Sequence, residues 1–176
     1  MKTTEEIFTL LKEKFGDSVI SLTPAQPIDP YINVNPFEID KISFFLREQP
    51  DLQFDCLIVL SGVDDANGVK QTEADGSTII NGGTLSVWYH LESTILKHKV
   101  IIRVSVPREN PEAASVAEVW RAADWHEREA YDMYGIIFLN HPDLRRILMP
   151  YDWDAGFPLR KDYKNPEFYQ GMKVPY

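Results

Sequence analysis

A chain of 176 residues, 44% hydrophobic and 26% charged, is sized for one domain with room for an appended arm. Its net charge of −9 argues against a general nucleic-acid binder and a polybasic membrane-surface helix, since both need a basic face, and leaves room only for local basic clusters. The single cysteine, Cys56, excludes an internal disulfide and a four-thiolate zinc or iron–sulfur site built from this chain alone, and it points to a reducing compartment.

The opening MKTTEEIFTLLKEKFG alternates charge with apolar residues, unlike a secretory signal. Thr3 or Thr4 can cap a helix there, with Ile7, Leu10, Leu11 and Phe15 at helical spacing and Gly16 placed to end it. Residues 18–23 and 30–34 read as short strands around the proline-rich PAQPIDP. Asn35-Pro36 reads as a cap and first-turn proline for a second helix, FEIDKISFFLRE, closed by Pro50.

A strand is expected over 53–61, where Cys56 sits among apolar neighbours as an inert core thiol. The polar stretch 62–83 reads as a loose hairpin loop. Leu85–Leu91 and Lys99–Val106 alternate as paired antiparallel strands. Two helical segments follow, over 115–123 and 125–134, ending at Gly135. Aliphatic runs such as Leu57–Leu60 are far too short to span a bilayer, so a soluble chain is expected.

The order α-β-β-α-β-β-β-α-α predicts an α+β domain over 1–140. Its mainly antiparallel (mixed) sheet has about five strands, with helices packed on one face. From His141 the composition changes. Pro142, Pro150, Pro158 and Pro166 break any long helix, and seven aromatics crowd the last 36 residues. Residues 141–176 are therefore expected to form an extended proline- and aromatic-rich C-terminal arm. Burial of those aromatics falls short of the cost of ordering so much backbone. Backbone pairing and charged contacts must supply the rest, so the arm is expected to order mainly against a partner. Limited proteolysis is expected to cut beyond about residue 148.

Three constellations stand out. In WHEREAYDMYG, Trp125, Arg128, Glu129 and Asp132 share one side of a helix, and Glu127, Tyr131 and Tyr134 share the next. This reads as a charged face whose acids meet arginines more readily than as a catalytic carboxylate pair. His126-Glu127 is no metalloprotease motif, because position 130 is alanine. In HPDLRR, Asp143 can cap one turn, with Arg145 and Arg146 offering forks that match carboxylates. In FPLRKDY, the charges of Arg160, Lys161 and Asp162 lie between apolar anchors, as in an interface. The glycines form neither GxGxxG nor a P-loop.

These residues together resemble a known family. ERE-x-YD-x-YGI-x-F (Glu127–Phe138), HPDLRRIL (His141–Leu148) and W-x-x-GFPLRKDY (Trp153–Tyr163) are similar to the C subunit of proton-pumping NADH:quinone oxidoreductase, respiratory complex I. Two departures are Asn140, where the family often has glycine, and the spacer Asp154-Ala155 before Gly156. The resemblance implies a peripheral-arm protein without redox centres, on the cytoplasmic face of a bacterial membrane. It implies packing against the quinone-site (D) subunit and the terminal-cluster (B) subunit, and names the I subunit as a further candidate neighbour. Quinone, NADH or ferredoxin, FMN and iron–sulfur clusters would belong to the assembled complex, and none to this chain.

Candidate partner-facing residues are then Glu127, Arg128, Glu129, Asp132, His141, Asp143, Arg145, Arg146, Arg160, Lys161 and Asp162. Alternatives are the equivalent subunit of a membrane-bound hydrogenase or coenzyme-linked dehydrogenase, or a generic adaptor docking through its tail. A stand-alone acid–base enzyme using Glu127, Glu129 or Asp132 with His126 or His141 is a different class. It requires a concave site and a carboxylate with a strongly raised pKa.

Overall fold

Helix α1 (Thr4–Phe15) begins in a capping box. The Thr3 hydroxyl accepts from the Glu6 N–H at 3.3 Å, and the Glu6 carboxylate accepts from the Thr3 N–H at 2.8 Å. Ile7 and Leu11, one turn apart, are fully buried, and Gly16 leaves the helix at φ +54°. The computed structural model describes residues 1–25, 28–73 and 78–174.

A 3-10 turn (Gly16–Ser18) leads into β1 (Val19–Thr23) and β2 (Tyr31–Val34). Helix α2 (Ile39–Glu48) follows, then β3 (Cys56–Asp64) and a hairpin of β4 (Val69–Thr72) and β5 (Thr78–Asn81). Next come β6 (Thr84–Glu92) and β7 (Lys99–Pro107). Five of these strands form one sheet in the order β1-β2-β7-β6-β3. All its pairs are antiparallel except β2–β7, which is parallel and makes the sheet mixed.

Register sets the core. Ile32 pairs with Ile102, Val34 with Val104, and Tyr89, Val87 and Leu85 with Ile102, Val104 and Val106, all on one buried face. Helix α1 lies against β1, β2 and β7, and Ile39, Ile42 and Leu46 of α2 join the same core. Helix α3 (Ala123–Tyr134) packs on β3 at Gly62, where a Cβ would come within 2.7 Å of Tyr134 Cδ2. The other face carries alternate residues of the same strands. There the Tyr31 ring packs at a tilt against Trp88, with centroids 4.6 Å apart, and Arg103 pairs with Asp65 at 3.0 Å.

The helix expected over 115–123 is absent. Residues Glu112–Ala114 form β8, which pairs in parallel with β9 (Ile137–Leu139), and turns follow until α3. Val116, Val119 and Trp120 do point inward, which mimics helical spacing, but only one turn forms. Strand β3 also starts later and runs further than expected, and the polar stretch behind it holds the β4–β5 hairpin. Asn35 caps the turn before α2, where its side chain accepts from the Phe37 N–H at 2.9 Å, and the helix itself begins at Ile39.

Candidate functional site

Helix α3 collects most of the charges singled out in the sequence, and it turns several of them inward. Glu127 is fully buried. Its carboxylate accepts from the Ser115 hydroxyl at 2.6 Å and the Val116 N–H at 2.7 Å. Burial pushes its pKa up to about 7, against those two hydrogen bonds and with help from the Asp124 charge. The His141 side chain is also buried and faces the same cluster. Its Nδ1 accepts from the Asp143 N–H at 3.0 Å, which makes Nε2 the donor. Nε2 lies 3.2 Å from the Asp124 carbonyl and 3.8 Å from Glu127 Oε2. His141 thus ties the start of the arm to the first turn of α3.

Asp132, five residues further on, is fully buried and receives four donors. Arg146 Nη1 meets Oδ1 at 2.7 Å. The N–H groups of Ile147, Leu148 and Met149 meet Oδ2 at 3.1, 2.8 and 2.8 Å. Burial works against its charge, but the Met149 N–H, the Arg146 guanidinium and the Leu148 and Ile147 N–H groups outweigh burial. They hold the carboxyl below the usual range. The RILM backbone is therefore wrapped around one side chain of α3.

A second carboxylate fixes the arm further along. Asp64, at the end of β3, accepts from Arg108 at 2.7 Å and from the Lys161 N–H at 2.8 Å. Burial raises its pKa, and the Arg108, Lys161 and Ala66 donors more than reverse that. Arg108 also donates to Asp162. Between these points the arm closes off the end of α3. The Leu159 N–H and Arg160 Nε donate to the last helical carbonyls, Met133 at 3.1 Å and Tyr134 at 2.7 Å. Phe157 lies over Gly135, which leaves the helix at φ +76°.

The residues named from sequence therefore fall into three groups. Glu127, Asp132, His141, Arg146, Arg160 and Asp162 are engaged within the chain. Glu129, Lys161, Arg145 and Asp143 are exposed, the last two paired at 2.9 Å. Arg128 is buried and stacks over exposed Trp125 at 4.9 Å. Much of the backbone pairing and charge expected from a partner is supplied by α3 and β3. The tail ends in a hairpin, β10 (Phe168–Tyr169) and β11 (Met172–Lys173), whose Tyr169 hydroxyl and Gln170 amide donate to Asp152.

Sequence reasoning missed Asp64, Arg108 and Ser115. Asp64 was hidden in a stretch read as loop, and nothing local marks a carboxylate whose mates lie 44 and 97 positions away. One requirement of the acid–base reading is met by the raised pKa of Glu127. That carboxylate is sealed from solvent, and both its oxygens accept hydrogen bonds from the chain. Among the described residues, no group of three or more His, Cys, Asp or Glu side chains is placed to hold a metal ion.

Residues 32–169 match the family model of the respiratory-chain NADH dehydrogenase 30 kDa subunit. The NADH-quinone oxidoreductase C subunit of Chloroherpeton thalassium is 47% identical over 175 residues, covering 98% of this chain and 65% of that protein. Its counterpart in Chlorobium phaeobacteroides, of the same name, is 42% identical, covering 96% of this chain and 93% of that one. The chain thus spans just under two thirds of the first relative and nearly all of the second. In fold it is similar to the trypsin-resistant fragment (1–134) of Nqo5, at a TM-score of 0.56 and 22% identity, over 77% of this chain and 97% of that one. With a family model and two close relatives matching most of its length, the chain belongs to the 30 kDa subunit family of respiratory-chain NADH dehydrogenase, which is the family of the NADH-quinone oxidoreductase C subunit.

Proposed function

We propose that this chain is a non-catalytic structural subunit in the peripheral arm of a proton-translocating NADH (or ferredoxin):quinone oxidoreductase. It holds the quinone-site (D) subunit and the terminal-cluster (B) subunit in register on the cytoplasmic face of the membrane, with the I subunit nearby. Electron transfer depends on fixed distances between centres, so holding neighbours in place is itself a function. On this reading quinone, FMN and the iron–sulfur clusters sit in other subunits, and this chain binds no cofactor. On the same reading attachment to the membrane runs through partners; no helix among the described residues is long and apolar enough to cross one.

The observation that carries the reading is where the family motifs spend their charges. Asp132 and Arg146 of the first two motifs, and Asp162 of the third, shape the arm over α3 and β3. What they leave facing outward is a surface with Trp125 62%, Leu148 59% and Tyr151 95% exposed. Exposed aromatic and apolar side chains beside arginines are the composition of protein interfaces.

Deletion of the gene tests the proposal, with complex assembly read on native gels and quinone reduction read in membranes. Loss of the assembled arm is expected. A fully assembled complex with normal quinone reduction would overturn the reading.

A further inference from the structure

Arg108 and Arg128 are the two most buried arginines among the described residues, at 6% and 7% exposure, and their surroundings differ. Arg108 meets two carboxylates, Asp64 and Asp162. Arg128 meets none among the described residues. Its contacts are the Trp125 ring and, from Nε, the Arg145 carbonyl at 3.4 Å. A guanidinium stays charged at any working pH, and burying one without an anion is costly. Such a residue is kept where an anion arrives from outside.

The place it faces is a concavity of about 570 Å³ between α3 and residues 144–151, lined also by Trp125, Tyr131, Arg145, Ile147 and Tyr151. That size is within the range of binding clefts. Of the other two arginines of its wall, Arg146 is paired with buried Asp132, and Arg145 is turned to solvent with an exposed contact to Asp143. Arg128 is thus the buried fork of this wall with no carboxylate among the described residues, which suits a single carboxylate bound bidentately. Trp125 and Tyr151 stand exposed on the rim and need a flat, partly apolar covering. A free anion supplies no such covering, whereas a polypeptide does.

We propose that this concavity receives an acidic side chain, Asp or Glu, from a neighbouring subunit, with Arg128 as its bidentate receptor and Trp125 and Tyr151 packing against the flanking residues. This rests on the structural-subunit reading and names the chemistry of one of its contacts.

The test uses the full-length chain expressed in its own cells in place of the wild type, with assembled complex quantified on native gels. Arg128→Gln is expected to lower the assembled fraction about tenfold or more, while the purified full-length variant keeps the wild-type circular dichroism and melting temperature. Arg128→Lys retains the charge without the fork, and an intermediate loss is expected. A carbodiimide cross-link in the complex carrying Arg128→Lys supplies a direct readout. Mass spectrometry should find position 128 joined to an Asp or Glu of another subunit.

Normal assembly of Arg128→Gln overturns the proposal. So does a position-128 cross-link confined to acids of this chain, or its absence in an assembled complex, as expected if a lipid phosphate or free phosphate fills the concavity. Should Arg128→Gln fail to fold, the cross-link alone decides. Those failures are distinguishable from failure of the broader reading, which is judged by whether deletion of the whole gene abolishes assembly.

Discussion

The carboxylate of Glu127 sits where burial disfavours its charge, with its pKa raised from the usual 4.5 to about 7. The folded chain therefore binds this proton more tightly than the unfolded one. Its stabilising contribution is complete below pH 4.5 and is lost as pH rises through 7, a swing of about 3 kcal/mol. Glu127→Gln keeps the shape and removes the titration. Urea unfolding at pH 5 and pH 8 should show a smaller loss of stability for the variant than for the wild type. Asp132 has the opposite sign. Its pKa is held down by its donors, so its contribution is present above the usual carboxylate range and is lost on acidification through the lowered value. Asp132→Ala leaves Arg146 and three N–H groups without their shared acceptor and is expected to cost about 3 kcal/mol. The amides of Ile147, Leu148 and Met149 should then exchange hydrogen faster than in the wild type, and an unchanged rate would show that other contacts hold the segment.

At the scale of elements, α3 was legible and its surroundings were not. Gly135 as a stop signal and the spacing of Glu127, Arg128 and Asp132 located the helix to within two residues. The segment before it misled, because Val116, Val119 and Trp120 are buried at a spacing that a single turn satisfies as well as a helix. What decides between them is distant. Ile137 donates to the Pro111 carbonyl and Ser115 to the Leu139 carbonyl, a parallel pairing invisible to local pattern. Asp64, Arg108 and the Lys161 N–H are likewise joined only once the chain has folded. Gly135 then serves twice, as a left-handed cap and as the floor beneath Phe157. Gly135→Ala should strain the backbone and collide with that ring, costing about 1–3 kcal/mol. Trypsin should cleave the variant sooner after Arg145, Arg146 and Arg160, segments that the wild-type contacts to Asp132, Asp64 and the end of α3 protect. Equal digestion rates would mean that the Phe157 contact does not hold the arm.

For the whole molecule, the α+β class and a mixed sheet of five strands followed from the alternation of apolar residues and the order of elements. The strand order did not, because nothing in the alternation says that β2, paired with β1 on one side, passes over β3 to β6 and joins β7 on the other. That single parallel pairing has a consequence for synthesis. The β1–β2 hairpin can close as soon as Val34 has emerged, but the strand that completes its sheet ends at Pro107. Throughout the intervening elongation, Tyr31–Val34 presents an unpaired edge, a template for unwanted association in a nascent polypeptide. The central strand of the finished sheet is the last of its five to leave the ribosome, so closure of the sheet waits on it.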